Sequence, residues 1–196
     1  MLAMTSGVRD MQRVLDLVWT HLLPVFGEAA LPEDAAAQDA LVRKLEALSL
    51  PVVEGAPSSG RGGTISGSSY AIEPNHFHIE RVRFSFDGNS PTVTFMDATG
   101  EQPVTAGYGV WRKGMSDGRV LGRERAWSGG LNSERMAASG AWTEEDTFEL
   151  RVCYTEGEVC PIVRFRFRDG ALAIQVDPNV SWDEPTVTTL IGHPAP

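Results

Sequence analysis

The chain has 196 residues, 42% of them hydrophobic, and a formal net charge of −9. That length and apolar content suit one sizeable core with a short helical addition and exclude a disordered chain. The acidic balance repels phosphate backbones and excludes nucleic acid as the expected partner.

Residues 1–20 carry Arg9, Asp10 and Arg13 with no long apolar run, so no signal peptide is read and the default compartment is the cytoplasm. No apolar stretch is long enough to span a membrane. Residues 10–24 have helical periodicity, with Met11, Val14, Leu15, Val18, Trp19, Leu22 and Leu23 on one broad face. Asp10 is the expected N-cap and Pro24 the stop. A second helix is expected over 33–49, with Leu41, Leu45 and Leu48 along one side and Pro51 beyond its end. Residues 54–64, rich in Gly, Pro and Ser, read as a linker. The expected organisation is a helical segment over 1–53, a linker over 54–64 and a β-domain over 65–196.

After the linker the period changes to two. Candidate strands are 67–73, 77–87, 91–98, 102–107, 109–113, 119–127, 134–142, 146–155, 160–168 and 171–177, many separated by Gly-containing turns. Val163, Phe165 and Phe167 alternate with Arg164, Arg166 and Arg168, the mark of an antiparallel sheet with one wet face. The expected fold is mainly β: an antiparallel meander closing into a barrel or a two-sheet sandwich, preceded by two α-helices. A turn centred on Glu156-Gly157 places Cys153 opposite Cys160 and Glu149 opposite Arg164, with Phe148, Leu150, Val152 and Tyr154 inward. The two cysteines then bridge if their pair is non-hydrogen-bonded; two free thiols are the alternative.

Motifs for hydrolytic chemistry are missing. Only two of the 17 basic residues are lysines, and the positions three before Lys44 and Lys113 are Leu41 and Val110, so neither site is a Ser-x-x-Lys nucleophile. "GTISG" at 63–67 has Ile65 where a nucleophile elbow has serine. There is no phosphate-binding P-loop and no His-Glu-x-x-His. His76 and His78 share a face if they lie on a strand, making them the metal candidates, with Glu73, His21 or His193 as a third ligand. The competing reading is two surface histidines at the start of a strand. "TEEDTFE" at 143–149 reads as a solvated turn, with Glu145 or Asp146 as general-acid candidates. Trp142, Phe148 and Phe165 read as core. Trp111 and Trp127, with Tyr108, are the residues that would line a cavity inside a barrel.

The ordered segments "MTSGVRDMQRVLDLVWTHLLPVF", "LPEDAAAQDALVRKLEALSLP", "GSSYAIEPNHFHIERVRFSFDG", "GYGVWRKG" and "DPNVSW" resemble the C-terminal region of β-lactamase-related serine hydrolases and penicillin-binding proteins. The resemblance implies the last strand and helix of a hydrolase domain, followed by a β-rich extension without catalytic residues. It makes Val14, Leu15, Val18, Trp19 and Leu22 a docking face for that hydrolase domain or for a second copy of the chain. The leading reading is a non-catalytic accessory domain of a serine hydrolase that needs no cofactor. Such a domain would shape the active-site entrance or mediate subunit contacts, and any enzyme activity would belong to the parent. The alternative is a β-barrel module binding small lipophilic ligands. A third reading is a metal-dependent enzyme using His76 and His78.

Overall fold

Two aspartates set the helix starts. Asp10 accepts the Arg13 N–H (3.1 Å) ahead of α1 (Met11–Leu17), and Asp34 accepts the Ala37 N–H (2.9 Å) ahead of α2 (Ala35–Glu46). After α1 the backbone widens by one residue, so that Leu23 N–H reaches back to Val18 O. A tight turn over Leu23–Val25 then carries Pro24 in its first positions, and the helical run ends at Phe26, whose backbone is extended. The computed structural model describes residues 7–27, 32–86, 88, 90–116, 133–179 and 187–196. These fall into two compact units, Val8–Pro51 and the chain from Val52 onward with Gly7. Within the helical unit no described helical residue is buried, and among the described residues no helix is long and apolar enough to cross a membrane.

The described residues of the second unit form ten strands: β1 (Ser69–Ile72), β2 (Arg81–Ser85), β3 (Thr92–Asp97), β4 (Gly100–Thr105), β5 (Arg112–Ser116), β6 (Glu134–Glu144), β7 (Thr147–Tyr154), β8 (Ile162–Arg168), β9 (Ala171–Asp177) and β10 (Thr188–Ala195). Every ladder is antiparallel, and the order is β4-β3-β2-β1-β10-β9-β8-β7-β6-β5. The expected alternation holds where it is clearest: Val163, Phe165 and Phe167 are buried, and the intervening arginines of β8 face outward. The β8–β9 turn has positive φ at both Asp169 (51°) and Gly170 (77°), the twist that a two-residue hairpin requires.

The sheet is bent into a nearly closed barrel. Among the described residues no ladder joins its end strands, β4 and β5. Just after β4, Gly107 donates its N–H to Ala138 O and accepts the Gly140 N–H, both at 3.1 Å, which ties this side to β6. On the opposite side β10 closes the wall between β1 and β9. No strand is expected over 188–195 from sequence, because Gly192 and Pro194 break the pattern. Gly192 lets the strands pack closely there: a Cβ at that position would lie 2.8 Å from Ile72 Cδ1 and 3.3 Å from Tyr70 Cβ. The strand expected over 119–127 lies outside the described residues.

Residues 52–68 carry more structure than their Gly/Ser/Pro content announces. They form a strap over one end of the barrel. Val53 is buried and donates its N–H to Ser139 Oγ (3.1 Å). Ala56 and Trp142 exchange backbone hydrogen bonds of 2.8 and 2.9 Å. A single helical turn, α3 (Gly62–Ile65), buries Gly62 and Ile65, and Gly67 N–H then reaches Phe84 O (2.8 Å).

The β7–β8 register matches the turn geometry read from sequence, with Glu149 opposite Arg164 and an ion pair of 2.9 Å between them. Tyr154 N–H bonds Val159 O and Val152 N–H bonds Pro161 O, so the intervening Cys153 and Cys160 form a non-hydrogen-bonded pair. They are disulfide-bonded, with Cα atoms 4.0 Å apart. Cys160 N–H is satisfied instead by Asn179 Oδ1 (2.6 Å), whose amide also donates to Glu158 O (2.7 Å). The loop closed is short, so reduction should cost about 2 kcal/mol. Urea unfolding with and without dithiothreitol measures this, and thiol titration should find both cysteines only after reduction.

Candidate functional site

The barrel interior is the candidate site. Inward positions are apolar on strand after strand: Tyr70 and Ile72, Val82 and Phe84, Val93 and Phe95, Val104, and Leu150 and Val152, continuing through β8 to β10. Polar exceptions include Ser116 and Glu134, which face each other across β5–β6 and are both buried. Toward the strap the interior becomes aromatic. Phe84 stands edge-on to Phe165 (5.2 Å) and Phe167 (5.0 Å), and Phe86 meets Trp142 (4.8 Å) and Phe148 (5.0 Å). The expectation that Trp142, Phe148 and Phe165 are core therefore holds. Burial among these rings also pushes the Tyr70 hydroxyl pKa up.

Trp142 is 3% exposed, and its indole Nε1 has no hydrogen-bond partner among the described residues. Its edge faces the strap, where a Cβ at Gly62 would lie 3.4 Å from Cζ2 and 3.6 Å from Nε1. Sequence reading places Trp142 in the core but carries no signal for this orphaned donor. The strap that covers it comes from residues that pack through bare backbone rather than through apolar side chains.

Of the cavity residues expected from sequence, the two described ones, Tyr108 and Trp111, are not members of the buried core cluster. Tyr108 is half-buried on the β4–β5 connection, and its hydroxyl donates to Gly55 O (3.1 Å) on the strap. Trp111 is half-buried at the start of β5, and Trp127 lies outside the described residues. A groove of ≈ 640 Å³ runs outside the wall, at the strap end, past Tyr70, Arg81, Arg83 and Glu101. Both arginines are engaged there, Arg83 with Glu101 (2.9 Å) and Arg81 with Pro196 O (3.0 Å).

His76 and His78 need correction. They lie in a turn ahead of β2, not on a strand, and do not share a strand face. The Asn75 side chain decides this: its amide donates to Glu73 O and Ile79 O, and its carbonyl accepts the Ile79 N–H. His78 takes a positive φ of 57° in consequence. Glu73 turns away to His193 Nε2 (3.0 Å), and among the described residues no three His, Cys, Asp or Glu side chains converge as a metal site. Of the general-acid candidates, Glu145 is exposed. Asp146 is bonded to Arg168, and that hydrogen bond holds its carboxyl below the usual carboxylate range. A depressed folded pKa means that Asp146 stabilises the fold above about pH 4 and that this contribution fades as pH falls further. Urea midpoints of wild type and Asp146→Asn should therefore differ at pH 7, and the difference should shrink as pH is lowered below about 4. On the helical unit, Leu15, Trp19 and Leu22 are exposed, while Val14 and Val18 are half-buried.

No family model matches the chain, and no curated protein matches it. Among solved structures, a fatty acid-binding protein from brain tissue of Drosophila melanogaster is similar at 9% identity and a TM-score of 0.46, covering 66% of this chain and 98% of that one. The REP1-NXSQ fatty acid transporter is similar at 10% identity and a TM-score of 0.48, covering 68% of this chain and 98% of that one. The expected kinship with β-lactamase-related serine hydrolases is corrected here. No family model matches the chain, theirs included, and the similar structures found are a fatty acid-binding protein and a fatty acid transporter. With it go the accessory-domain reading and the hydrolase domain as a partner. The amphipathic helical segments that carried the resemblance have a generic Leu/Val spacing that many helices share.

Proposed function

We propose that the barrel is a binding module for small lipophilic molecules, held in its interior. The supporting observation is the apolar inner wall, with aromatic rings from β1, β2, β3, β6, β7 and β8 in mutual contact at 4.8–6.4 Å. These rings fill the strap end, so a guest has to separate them. Doing so exchanges ring–ring contacts for ring–guest contacts of similar apolar area, while the guest loses its own contact with water. Among the described residues no ladder joins β4 to β5, and that seam is the entry route we assign to the guest. Half-buried Phe77 and Phe86, packed against the core cluster, are side chains able to swing as the guest enters.

The test is titration with dodecanoate and with anilinonaphthalene sulfonate. Saturable one-to-one binding is expected, accompanied by a change in tryptophan emission because Trp142 lies inside the barrel. Emission that stays constant, with no saturable signal from either probe, would return the interior to a filled structural core and end the proposal.

A further inference from the structure

Buried N–H groups nearly always have a partner, and an indole nitrogen can only donate. Trp142 Nε1 breaks that pattern at the one end of the barrel where rings crowd together. Phe86, Phe148 and Phe167 occupy three sides of the indole, with ring separations of 4.8, 5.6 and 5.9 Å. The remaining side is the strap at Gly62, which presents backbone alone. Between Pro57 and Ile65 the described hydrogen bonds from strap to barrel come down to one, from Arg61 Nη1 to Phe167 O (3.3 Å). The strap is thus tied firmly at Ala56 and Gly67 and only lightly between them. Arg61, next to Gly62, uses one of its several donors in that contact.

We infer that Trp142 Nε1 is the polar anchor of the site: it donates to an acceptor oxygen on the guest, which lies under the strap between Trp142 and Arg61. This rests on the lipophile reading above and narrows it to lipophiles that carry one acceptor group at the strap end. A plain hydrocarbon leaves the N–H orphaned and gains nothing from it. The Glu145 carboxylate, which approaches to 2.7 Å from where a Cβ on Gly60 would sit, opposes a multiply charged head group. A carbonyl, an ester or a single carboxylate fits this surround.

Three matched probes separate the cases: hexylbenzene, methyl phenylhexanoate and phenylhexanoate. Each is read by displacement of anilinonaphthalene sulfonate, whose own affinity is determined in every variant. Replacing Trp142 by its benzothiophene isostere removes the N–H and keeps the shape, and Trp142→Phe serves as a second variant. Loss of the N–H should weaken the ester and the carboxylate by about tenfold and leave hexylbenzene unchanged. A further loss for the carboxylate alone in Arg61→Gln would identify a charged head group as the preferred guest, and equal affinities there a neutral one. Equal weakening of all three probes by the isostere, or weakening of none, overturns the anchor while leaving the lipophile reading intact. Failure of all three to bind the wild-type protein overturns both.

Discussion

Phe84→Ala should lower folding stability by about 3–5 kcal/mol, the largest effect expected of any single side chain here. Phe84 is fully buried and its ring touches those of Tyr70, Phe86, Phe165 and Phe167 at 5.9, 5.7, 5.2 and 5.0 Å. It therefore joins β1, β2 and β8 across the interior. Truncation removes its own apolar area and leaves its neighbours facing a void that the hydrogen-bonded wall cannot collapse to fill. Urea denaturation measures the loss, with Phe84→Leu as the milder comparison. The void also has a functional reading. If the interior admits guests, hexylbenzene should raise the urea midpoint of Phe84→Ala more than that of wild type, because binding to the folded state alone stabilises it by mass action.

Gly55→Ala should cost about 2–4 kcal/mol and unseat the strap. A Cβ at Gly55 would stand 2.3 Å from Trp142 O and 2.9 Å from Trp142 C, both backbone atoms that have no rotamer to change. The paired hydrogen bonds between Ala56 and Trp142 must give way, and with them the Tyr108 hydroxyl bond to Gly55 O. Hydrogen exchange at the Ala56 and Trp142 amides should accelerate together, and Trp142 emission should move to the red as water reaches the indole. Amides that stay protected would mean the strap shifts as a unit, and the predicted cost would then be too high.

Much of the barrel is legible in the residues because hairpin physics is local. Asp169-Gly170 specifies its turn and the flanking Val/Phe/Arg alternation specifies which face is wet. The Glu156-Gly157 turn sets a register good enough to bring Cys153 opposite Cys160. The misses share a different cause. β10 is disguised by Gly192 and Pro194, and the close packing of Ile72, Tyr70 and Leu172 around Gly192 is visible only in the folded chain. The strap packs through the backbones of Gly55 and Gly62, which no hydrophobic pattern reveals. His76 and His78 look like strand residues until the Asn75 side chain claims the local backbone. Trp142 reads correctly as core, yet the isolation of its N–H depends on a segment that is distant in sequence.

The position of β10 also bears on how the chain reaches its native state. Nearly every described ladder joins strands consecutive in sequence, whereas β1 and β10 bring residue 70 against residue 194. Hairpin pairings form quickly, and that one closure carries the loop entropy of almost the whole β-unit, so it sets the pace of folding. During synthesis β9 and β1 remain unpaired edges until residues 188–195 have left the ribosome, an interval in which strand-to-strand association between nascent chains competes with closure. A chain cut before β10 would keep those two edges for good, and its fate would be aggregation rather than a smaller soluble fold.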